Sequence, residues 1–147
     1  MRGAGTAPPQ LIGTIRLPLP GGGTALVSGG PFEACPEGVF SLCLEERAAN
    51  AAAADLLLPV PDFGLPEPEA LRQVLAQLMA AMAHRPVFIG CRAGLGRTGT
   101  VLACLARLCG VADDPVDWVR RHYDPRAVET SAQEAFARLV PLDASPG

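Results

Sequence analysis

The chain has 147 residues, of which 49% are apolar, so it is long enough to bury a substantial core within one domain. Its formal net charge is −3 at pH 7, and this acidic balance argues against a broad nucleic-acid-binding surface. The five cysteines show no CxxC motif and no paired spacing, which argues against a disulfide framework and favours reduced thiols.

The sequence contains no segment typical of secretion or membrane insertion. Residues 1–10 are mostly glycine, alanine, proline and polar residues, without the apolar run of a secretory signal. The longest apolar-rich stretch, Thr98 to Ala112, contains Arg107 and is too short to cross a bilayer. We therefore expect a cytoplasmic protein without a membrane partner. The high content of alanine, glycine, proline and arginine is typical of a GC-rich bacterial genome.

The N-terminal part of the chain predicts a tail followed by a hairpin. Residues 1–12 are expected to form a loose tail. Residues 14–19 alternate apolar and polar positions and predict an edge strand, which Gly21-Gly22-Gly23 turns back into a second strand over residues 24–28. Gly29-Gly30-Pro31 is expected to end that strand.

The middle of the chain alternates strand and helix patterns. Residues 39–44 predict a buried strand, the alanine-rich residues 45–54 favour a helix, and residues 55–60 form another short apolar run. Three prolines and a glycine make residues 59–66 a loop. Residues 67–83 have apolar side chains at helical spacing and acids in the first turn, which predicts an amphipathic helix.

The C-terminal part predicts one more strand and three helices. The apolar residues 87–89 predict a buried strand, and helices are predicted over residues 98–108, 115–123 and 130–140. Strands that alternate with helices predict an α/β fold with helices on both faces of a central mixed, largely parallel sheet of about 4–5 strands. We find no internal repeat or linker, so we expect residues 1–147 to form a single domain.

The turn between residues 89 and 98 is rich in glycine and joins a strand to a helix, which is an arrangement that attracts phosphate. A Walker phosphate loop does not fit, because it would need a glycine at Cys91 and a lysine at Arg97. Residues 94–99 fit a dinucleotide-binding motif, but the acids at the required distance, Asp113 and Asp114, precede a predicted helix rather than ending a second strand.

A cysteine phosphatase loop, C-x-x-x-x-x-R-[ST], explains every residue type in the turn. The thiolate of Cys91 can attack phosphorus, and the inward N–H groups of residues 92–97 with the helix dipole can stabilise its charge. The planar guanidinium of Arg97 can bind two phosphate oxygens. The Thr98 hydroxyl can hydrogen-bond the sulfur when it leaves. Glycines allow the backbone angles and the close approach that a Cβ would block.

The whole turn, Cys91-Arg92-Ala93-Gly94-Leu95-Gly96-Arg97-Thr98-Gly99, resembles the motif of the protein tyrosine phosphatase superfamily. It is most similar to the compact dual-specificity branch, which includes the mitotic-exit and kinase-associated phosphatases. The resemblance implies a protein tyrosine phosphatase-like fold, a cysteinyl-phosphate intermediate, and no metal or other cofactor. The phosphate-binding residues that it implies are Arg92, Ala93, Gly94, Leu95, Gly96 and Arg97.

Two further residues are candidates for catalysis. Asp62, within Val60-Pro61-Asp62, resembles the acid that protonates the leaving oxygen from a mobile loop, although aspartate also commonly shapes a turn. Asp55 is the second choice for that acid. It ranks below Asp62 because it directly precedes a predicted strand and is therefore less able to reach the site. Gln133 matches the glutamine of the family that lies beside the site and places a water; alternatively it is an exposed residue of a helix face.

Three positions distinguish this chain within the family. Most relatives carry histidine where this chain has Gly90, and that histidine helps to keep the thiol ionised. Relatives that act on highly phosphorylated inositol lipids carry a second basic residue where this chain has Leu95, and Arg92 is the one basic residue that remains beside it in the loop. We therefore expect a singly phosphorylated substrate. We also expect a shallow pocket, as in the dual-specificity branch. Cys43 resembles a cysteine that can form a protective disulfide with the nucleophile Cys91, although a buried core thiol is the simpler interpretation.

The sequence thus predicts a protein tyrosine or dual-specificity phosphatase that acts on phosphorylated proteins. One alternative is a phosphatase of a small phosphorylated metabolite, nucleotide or lipid. The other is a phosphate-binding module with weak catalysis. No cluster of His, Cys and acidic residues has the spacing of metal ligands.

Overall fold

The computed structural model describes residues 8–143, which form a five-stranded sheet with the order β1-β2-β5-β3-β4. The strands are β1 (Gly13–Pro18), β2 (Thr24–Pro31), β3 (Phe40–Cys43), β4 (Leu56–Leu57) and β5 (Val87–Cys91). β1 is antiparallel to β2, and every other pair is parallel. The sheet is therefore mixed and largely parallel, as predicted.

The α-helices follow the predicted patterns. They are α1 (Pro68–Met82), α2 (Gly96–Leu108), α3 (Pro115–His122) and α4 (Ser131–Leu139). α1 and α3 begin with proline, and side chains of Glu67, Asp114 and Thr130 cap the N-termini of α1, α3 and α4. Within the described residues, no helix has the length and apolar character needed to cross a membrane.

The two faces of the sheet carry unequal layers. Alternate side chains of the strands, such as Val27 and Ile89, share one large core with residues from all four α-helices. On the opposite face, Cys43 and Phe88 form a small cluster with Phe32. Two short 3₁₀-helices, Phe32–Ala34 and Ala51–Ala53, contribute residues to this thinner layer.

β5 lies at the centre of the sheet, between β2 and β3, and all five of its residues are buried. Burial of both faces explains the continuous apolar run at its start. Because β2, β3 and β5 are parallel, their carboxyl ends, Pro31, Cys43 and Cys91, lie along one edge of the sheet. Parallel sheets bind ligands at this edge, and the fold thus exposes the turn after β5 there.

Two local predictions were wrong for tertiary reasons. β2 does not stop before Gly29-Gly30-Pro31 but continues through them, because these residues pair with the last three residues of β5. Residues 45–54 form turns and one 3₁₀-helix rather than an α-helix. The side chain of Glu45 is buried, accepts a hydrogen bond from the N–H of Arg47 and forms an ion pair with the distant Arg97, so local and tertiary contacts together override the helix propensity of the alanines.

Part of the predicted N-terminal tail lies outside the described residues, which start at residue 8. The remainder contacts the sheet: the N–H of Ile12 donates a hydrogen bond to the carbonyl of Gly29 over 2.8 Å. The backbone of Gln10 and Leu11 lies against Gly30.

Candidate active site

The turn from β5 to α2 curves around the sulfur of Cys91. The N–H of Gly94 donates a hydrogen bond to Cys91 Sγ over 3.2 Å. Gly94 has φ +83°, and a Cβ there would lie 2.4 Å from the backbone of Gly30. Only glycine satisfies both the left-handed backbone and this close approach, so the structure explains one of the glycines in the motif.

Arg97 lies in the first turn of α2 and is almost fully buried, with 3% of its surface exposed. Its Nη1 donates to the carbonyl of Val60 over 2.6 Å and to Glu45 Oε1 over 3.2 Å. Its Nη2 lies 3.5 Å from Asp62 Oδ1. The structure thus places Arg97 beside the Pro-rich loop that carries Asp62. The Asp62 side chain stays 44% exposed and accessible to a substrate.

Glu45 is the residue of this site that the sequence did not predict. It is buried, with 6% of its surface exposed, and it forms ion pairs with Arg97 and Arg47. Its hydrogen bonds with Arg47, and then with Arg97, lower its pKa from 4.5 to about 2, against the opposing effect of burial. A signal was available, because an acid two residues after a buried strand that is parallel to β5 must lie at the ligand-binding edge of the sheet.

Thr98 is fully buried, and its hydroxyl has no hydrogen-bond partner in the described part of the chain. A buried hydroxyl without a partner costs stability, typically about 1–3 kcal/mol. Buried polar groups without a partner are rare in folded proteins, and they occur at functional sites, where a ligand can accept the hydrogen bond.

Gln133 is also fully buried, which excludes the alternative of an exposed helix-face residue. Its Oε1 accepts hydrogen bonds from the N–H groups of Glu129 and Thr130, and Thr130 in turn caps α4. Its Nε2 donates to the carbonyl of Gly64 over 3.3 Å. Gln133 therefore links the start of α4 to the loop that carries Asp62.

Asp55 and Cys43 have other partners. Asp55 accepts hydrogen bonds from the N–H and hydroxyl of Ser41, and so joins β3 to the segment before β4. The Cys43 thiol donates to the carbonyl of Glu45 over 3.1 Å, and burial raises its pKa. All five cysteines are free thiols, so a disulfide between Cys43 and Cys91 stays a prediction.

A cleft of about 660 Å³ opens at Cys91. Its wall combines apolar groups with charged side chains of both signs: Pro9, Pro31, Phe32, Glu33, Glu45, Arg47, Ala48 and Arg92. A smaller cleft of about 330 Å³ lies beside it, at Asp62 and Pro61. Among residues 8–143, no group of three or more His, Cys, Asp or Glu side chains could bind a metal ion.

Comparison with known families assigns the chain to one of them. A family model described as "Swiss Army Knife protein, DSP-PTPase phosphatase domain" (PTP-SAK) matches residues 44–142. The chain belongs to this family. The match covers Glu45, the Asp62 loop, the Cys91 turn and Gln133, and it confirms the membership of the protein tyrosine phosphatase superfamily predicted from the motif.

Two curated relatives of this PTP-SAK domain are uncharacterized proteins of Methanocaldococcus jannaschii, MJECL20 and MJ0215. They are 40% and 38% identical to the chain over 82 residues, which is 55% of this chain and 55% and 51% of theirs. The chain thus spans about half the length of these curated relatives. Both relatives are archaeal, so the bacterial origin suggested by composition is not supported by them.

Solved structures show the same fold. Kinase-associated phosphatase, with its catalytic cysteine replaced by serine, superposes with a TM-score of 0.64 at 16% identity, over 90% of this chain and 94% of its own. Tk-PTP in its active form gives 0.59 at 25% identity, over 73% and 85%. The core catalytic domain of the PP-IP phosphatase SIW14 of S. cerevisiae gives 0.55 at 18% identity, over 80% and 82%. The α/β protein tyrosine phosphatase-like fold is confirmed.

The PTP-SAK domain has no room for a side chain at Gly90. A Cβ there would lie 2.7 Å from Phe32 Cα and 2.9 Å from the Gly30 carbonyl oxygen. The position precedes Cys91 within β5 and faces the thin layer of the sheet. The close approach of the 3₁₀-helix that starts at Phe32 therefore leaves space for glycine alone at this position.

We expect Gly90→Ala to destabilise the domain by about 1–3 kcal/mol, because the added methyl group must displace backbone atoms. Gly21→Ala is the matched control, since a Cβ at that position would have no other atom within 4 Å and the change should stay within about 0.5 kcal/mol. Urea unfolding of both variants measures the difference. Equal stability of the two variants would contradict the packing described for Gly90.

We expect Glu45→Gln to lower the free energy of unfolding at pH 7 by about 1–3 kcal/mol, because a buried charge-assisted hydrogen bond to Arg97 is lost. A carboxyl with a lowered pKa stabilises the folded state above its ordinary pKa of 4.5, and this contribution disappears as the pH falls towards 2. The gap between wild type and variant should therefore shrink between about pH 5 and pH 2 in urea titrations. The exposed neighbour Glu46→Gln is the control, and a gap that does not depend on pH would refute the assignment.

Proposed function

We propose that this phosphatase-family domain is a cysteine-dependent phosphomonoester hydrolase that acts through a cysteinyl-phosphate intermediate. The observation that carries the proposal is the buried guanidinium of Arg97, at the end of the turn that begins with Cys91. Its Nη2 lies 3.5 Å from Oδ1 of Asp62, which belongs to a separate loop. A nucleophile, an anion-binding group and a proton donor are thus available at one edge of the sheet. Because the five-stranded sheet and all four α-helices contribute to one large core, we also propose that the chain works as a single catalytic domain.

In the first half-reaction, the Cys91 thiolate attacks phosphorus, a P–S bond forms and the P–O bond to the leaving group breaks. The Arg97 guanidinium and the N–H groups of residues 92–97 bind the phosphoryl oxygens and stabilise the charge of the transition state. Asp62 donates a proton to the leaving oxygen. The partial exposure of Asp62 supports this role, since an exposed carboxyl group can contact a leaving group at the protein surface.

In the second half-reaction, water attacks phosphorus, the P–S bond breaks, and Asp62 accepts the proton of the water. The Thr98 hydroxyl, which is buried without a partner in the described chain, donates a hydrogen bond to the departing sulfur. Gln133 contributes through the Asp62 loop, because its carboxamide binds backbone groups at residues 129, 130 and Gly64. A nucleophilic thiol must stay reduced, which supports a reducing compartment such as the cytoplasm.

The preferred substrate class is a phosphorylated protein side chain. Leu95 adds no second positive charge to the loop, and among the described residues the wall of the cleft at Cys91 contains one aromatic side chain, Phe32, rather than an aromatic slot, which supports action on both phosphotyrosine and phosphoserine or phosphothreonine. A small phosphomonoester, nucleotide or lipid headgroup is the second candidate. Its support is that Arg47 and Arg92 line the same cleft and can bind an additional anionic group.

We expect Cys91→Ser to lose all measurable hydrolysis of p-nitrophenyl phosphate, because the thiolate is the nucleophile. Asp62→Ala should lower kcat for phenyl phosphate by about 10²–10⁴-fold and for p-nitrophenyl phosphate much less, since nitrophenolate leaves without a proton. The exposed Asp113→Ala is the control and should match wild type. Equal background rates for wild type, Cys91→Ser and Asp62→Ala would instead favour a phosphate-binding module with weak catalysis.

We expect phosphotyrosine and phosphoserine peptides with identical flanking residues to differ by less than about a hundredfold in kcat/KM, because the described part of the cleft at Cys91 has no aromatic slot that would select the phosphotyrosine ring. Parallel assays with a mononucleotide and with phosphorylated inositol lipid headgroups separate the second candidate. A tyrosine preference of several hundred-fold would contradict action on both kinds of side chain, and a small molecule preferred over every peptide would favour the alternative substrate class.

A further inference from the structure

Tyr123 is a buried side chain that the proposed reaction does not use. It follows α3 directly, only 7% of its surface is exposed, and it is the only tyrosine of the chain. Its hydroxyl donates a hydrogen bond to the carbonyl oxygen of Gly94 over 2.7 Å. The phenol thus contacts the phosphate-binding loop from the side of the protein core.

Two glycines leave the space that this phenol fills. A Cβ at Gly29 of β2 would lie 2.6 Å from the Tyr123 hydroxyl oxygen, and one at Gly13 of β1 would lie 3.2 Å from the ring. The observed position of the Tyr123 ring therefore excludes any residue larger than glycine at Gly13 and Gly29. The position of the hydroxyl is determined by packing against two strands and not by the loop alone.

The hydrogen bond fixes the peptide between Gly94 and Leu95. Gly94 has φ +83°, and glycine rotates more freely than any other residue, so this peptide needs an external partner. In a trans peptide the C=O and N–H point in opposite directions. When the Gly94 carbonyl points to Tyr123, the Leu95 N–H points to the opposite side of the loop, where a bound oxyanion would lie.

The neighbouring groups of the loop have partners of their own. The Gly94 N–H donates to Cys91 Sγ, and the Leu95 carbonyl accepts from the N–H groups of Gly99 and Val128. The Gly94 carbonyl accepts its hydrogen bond from the Tyr123 side chain instead. Burial, together with the charges of Cys91 and Asp124, raises the pKa of Tyr123 well above its ordinary value, so the phenol keeps its donor proton throughout the neutral range.

We propose that Tyr123 is a positioning residue of the active site, whose hydroxyl fixes the Gly94–Leu95 peptide so that the Leu95 N–H serves as an oxyanion donor. Tyr123 does not touch the substrate and acts only through Gly94. This assignment rests on the proposed phosphatase function. It predicts that the hydroxyl matters more for the transition state than for substrate binding, because an oriented donor is worth most where negative charge develops.

The first test compares Tyr123→Phe with Thr100→Val. Thr100 also donates a buried hydroxyl hydrogen bond to the carbonyl of a loop glycine, Gly96, over 2.8 Å, but the Gly96–Arg97 peptide belongs to α2, and the helical backbone holds it without the hydroxyl. Tyr123→Phe should lower kcat for p-nitrophenyl phosphate roughly tenfold, with KM changed less than about twofold. Thr100→Val should lose comparable thermal stability and keep kcat within about twofold of wild type.

Binding of two inorganic anions to the same variants tests the predicted selectivity. Orthovanadate resembles the transition state and should bind Tyr123→Phe roughly tenfold more weakly, while the Kd of inorganic phosphate changes less than about threefold. Equal losses of kcat in Tyr123→Phe and Thr100→Val, or unchanged kcat in Tyr123→Phe, would overturn the role of Tyr123 alone. A wild-type protein that neither hydrolyses phosphomonoesters nor binds vanadate would overturn the proposed function itself.

A second test keeps the native shape of the side chain. Because the chain contains one tyrosine, biosynthetic incorporation of 3-fluorotyrosine labels residue 123 alone. We expect the ¹⁹F resonance to shift when orthovanadate saturates the site, since the Gly94–Leu95 peptide connects the phenol to the anion. A shift smaller than the linewidth would refute the proposal even if Tyr123→Phe failed to fold.

Discussion

Burial of the Arg97 guanidinium is the constraint on which the rest of the site depends. A charge removed from water is costly unless it is paired and hydrogen-bonded. Arg97 meets this requirement with acceptors from two separate segments, Glu45 after β3 and the loop with Val60 and Asp62. The same contacts that compensate the buried charge therefore bring the candidate acid to the Cys91 turn, so one set of interactions stabilises the fold and shapes the candidate site.

The sheet supplies the second requirement, which is a rigid base for that loop. β5 is buried on both faces and pairs in parallel with β2 and β3, so Cys91 ends the central strand at the edge where the neighbouring strands also end. Close contacts exclude a side chain at Gly90 and at Gly94. Tight packing against Phe32 and Gly30 therefore holds the backbone of the residues just before and within the Cys91 turn.

Residues far from Cys91 in the sequence complete the support of the loop. Tyr123 contacts the Gly94 carbonyl, and the Val128 N–H donates to the Leu95 carbonyl. Gln133 binds Gly64 in the Asp62 loop. The segment from the end of α3 to the start of α4 thus contacts both loops of the candidate site, which fits the family match over residues 44–142.

The sequence by itself determined the α/β class, the extents of most helices and strands, and the Cys91-to-Thr98 motif, because these depend on local periodicity and on residues adjacent in the chain. It did not predict the burial of Glu45, the extension of β2 through Pro31 or the contact of Tyr123 with Gly94, since each arises between segments that only the folded sheet brings together. Local propensity favoured a helix over residues 45–54, whereas the folded chain has turns there and Glu45 forms an ion pair with Arg97. The partners in these contacts are far apart in the chain, so only the tertiary structure decided which groups meet.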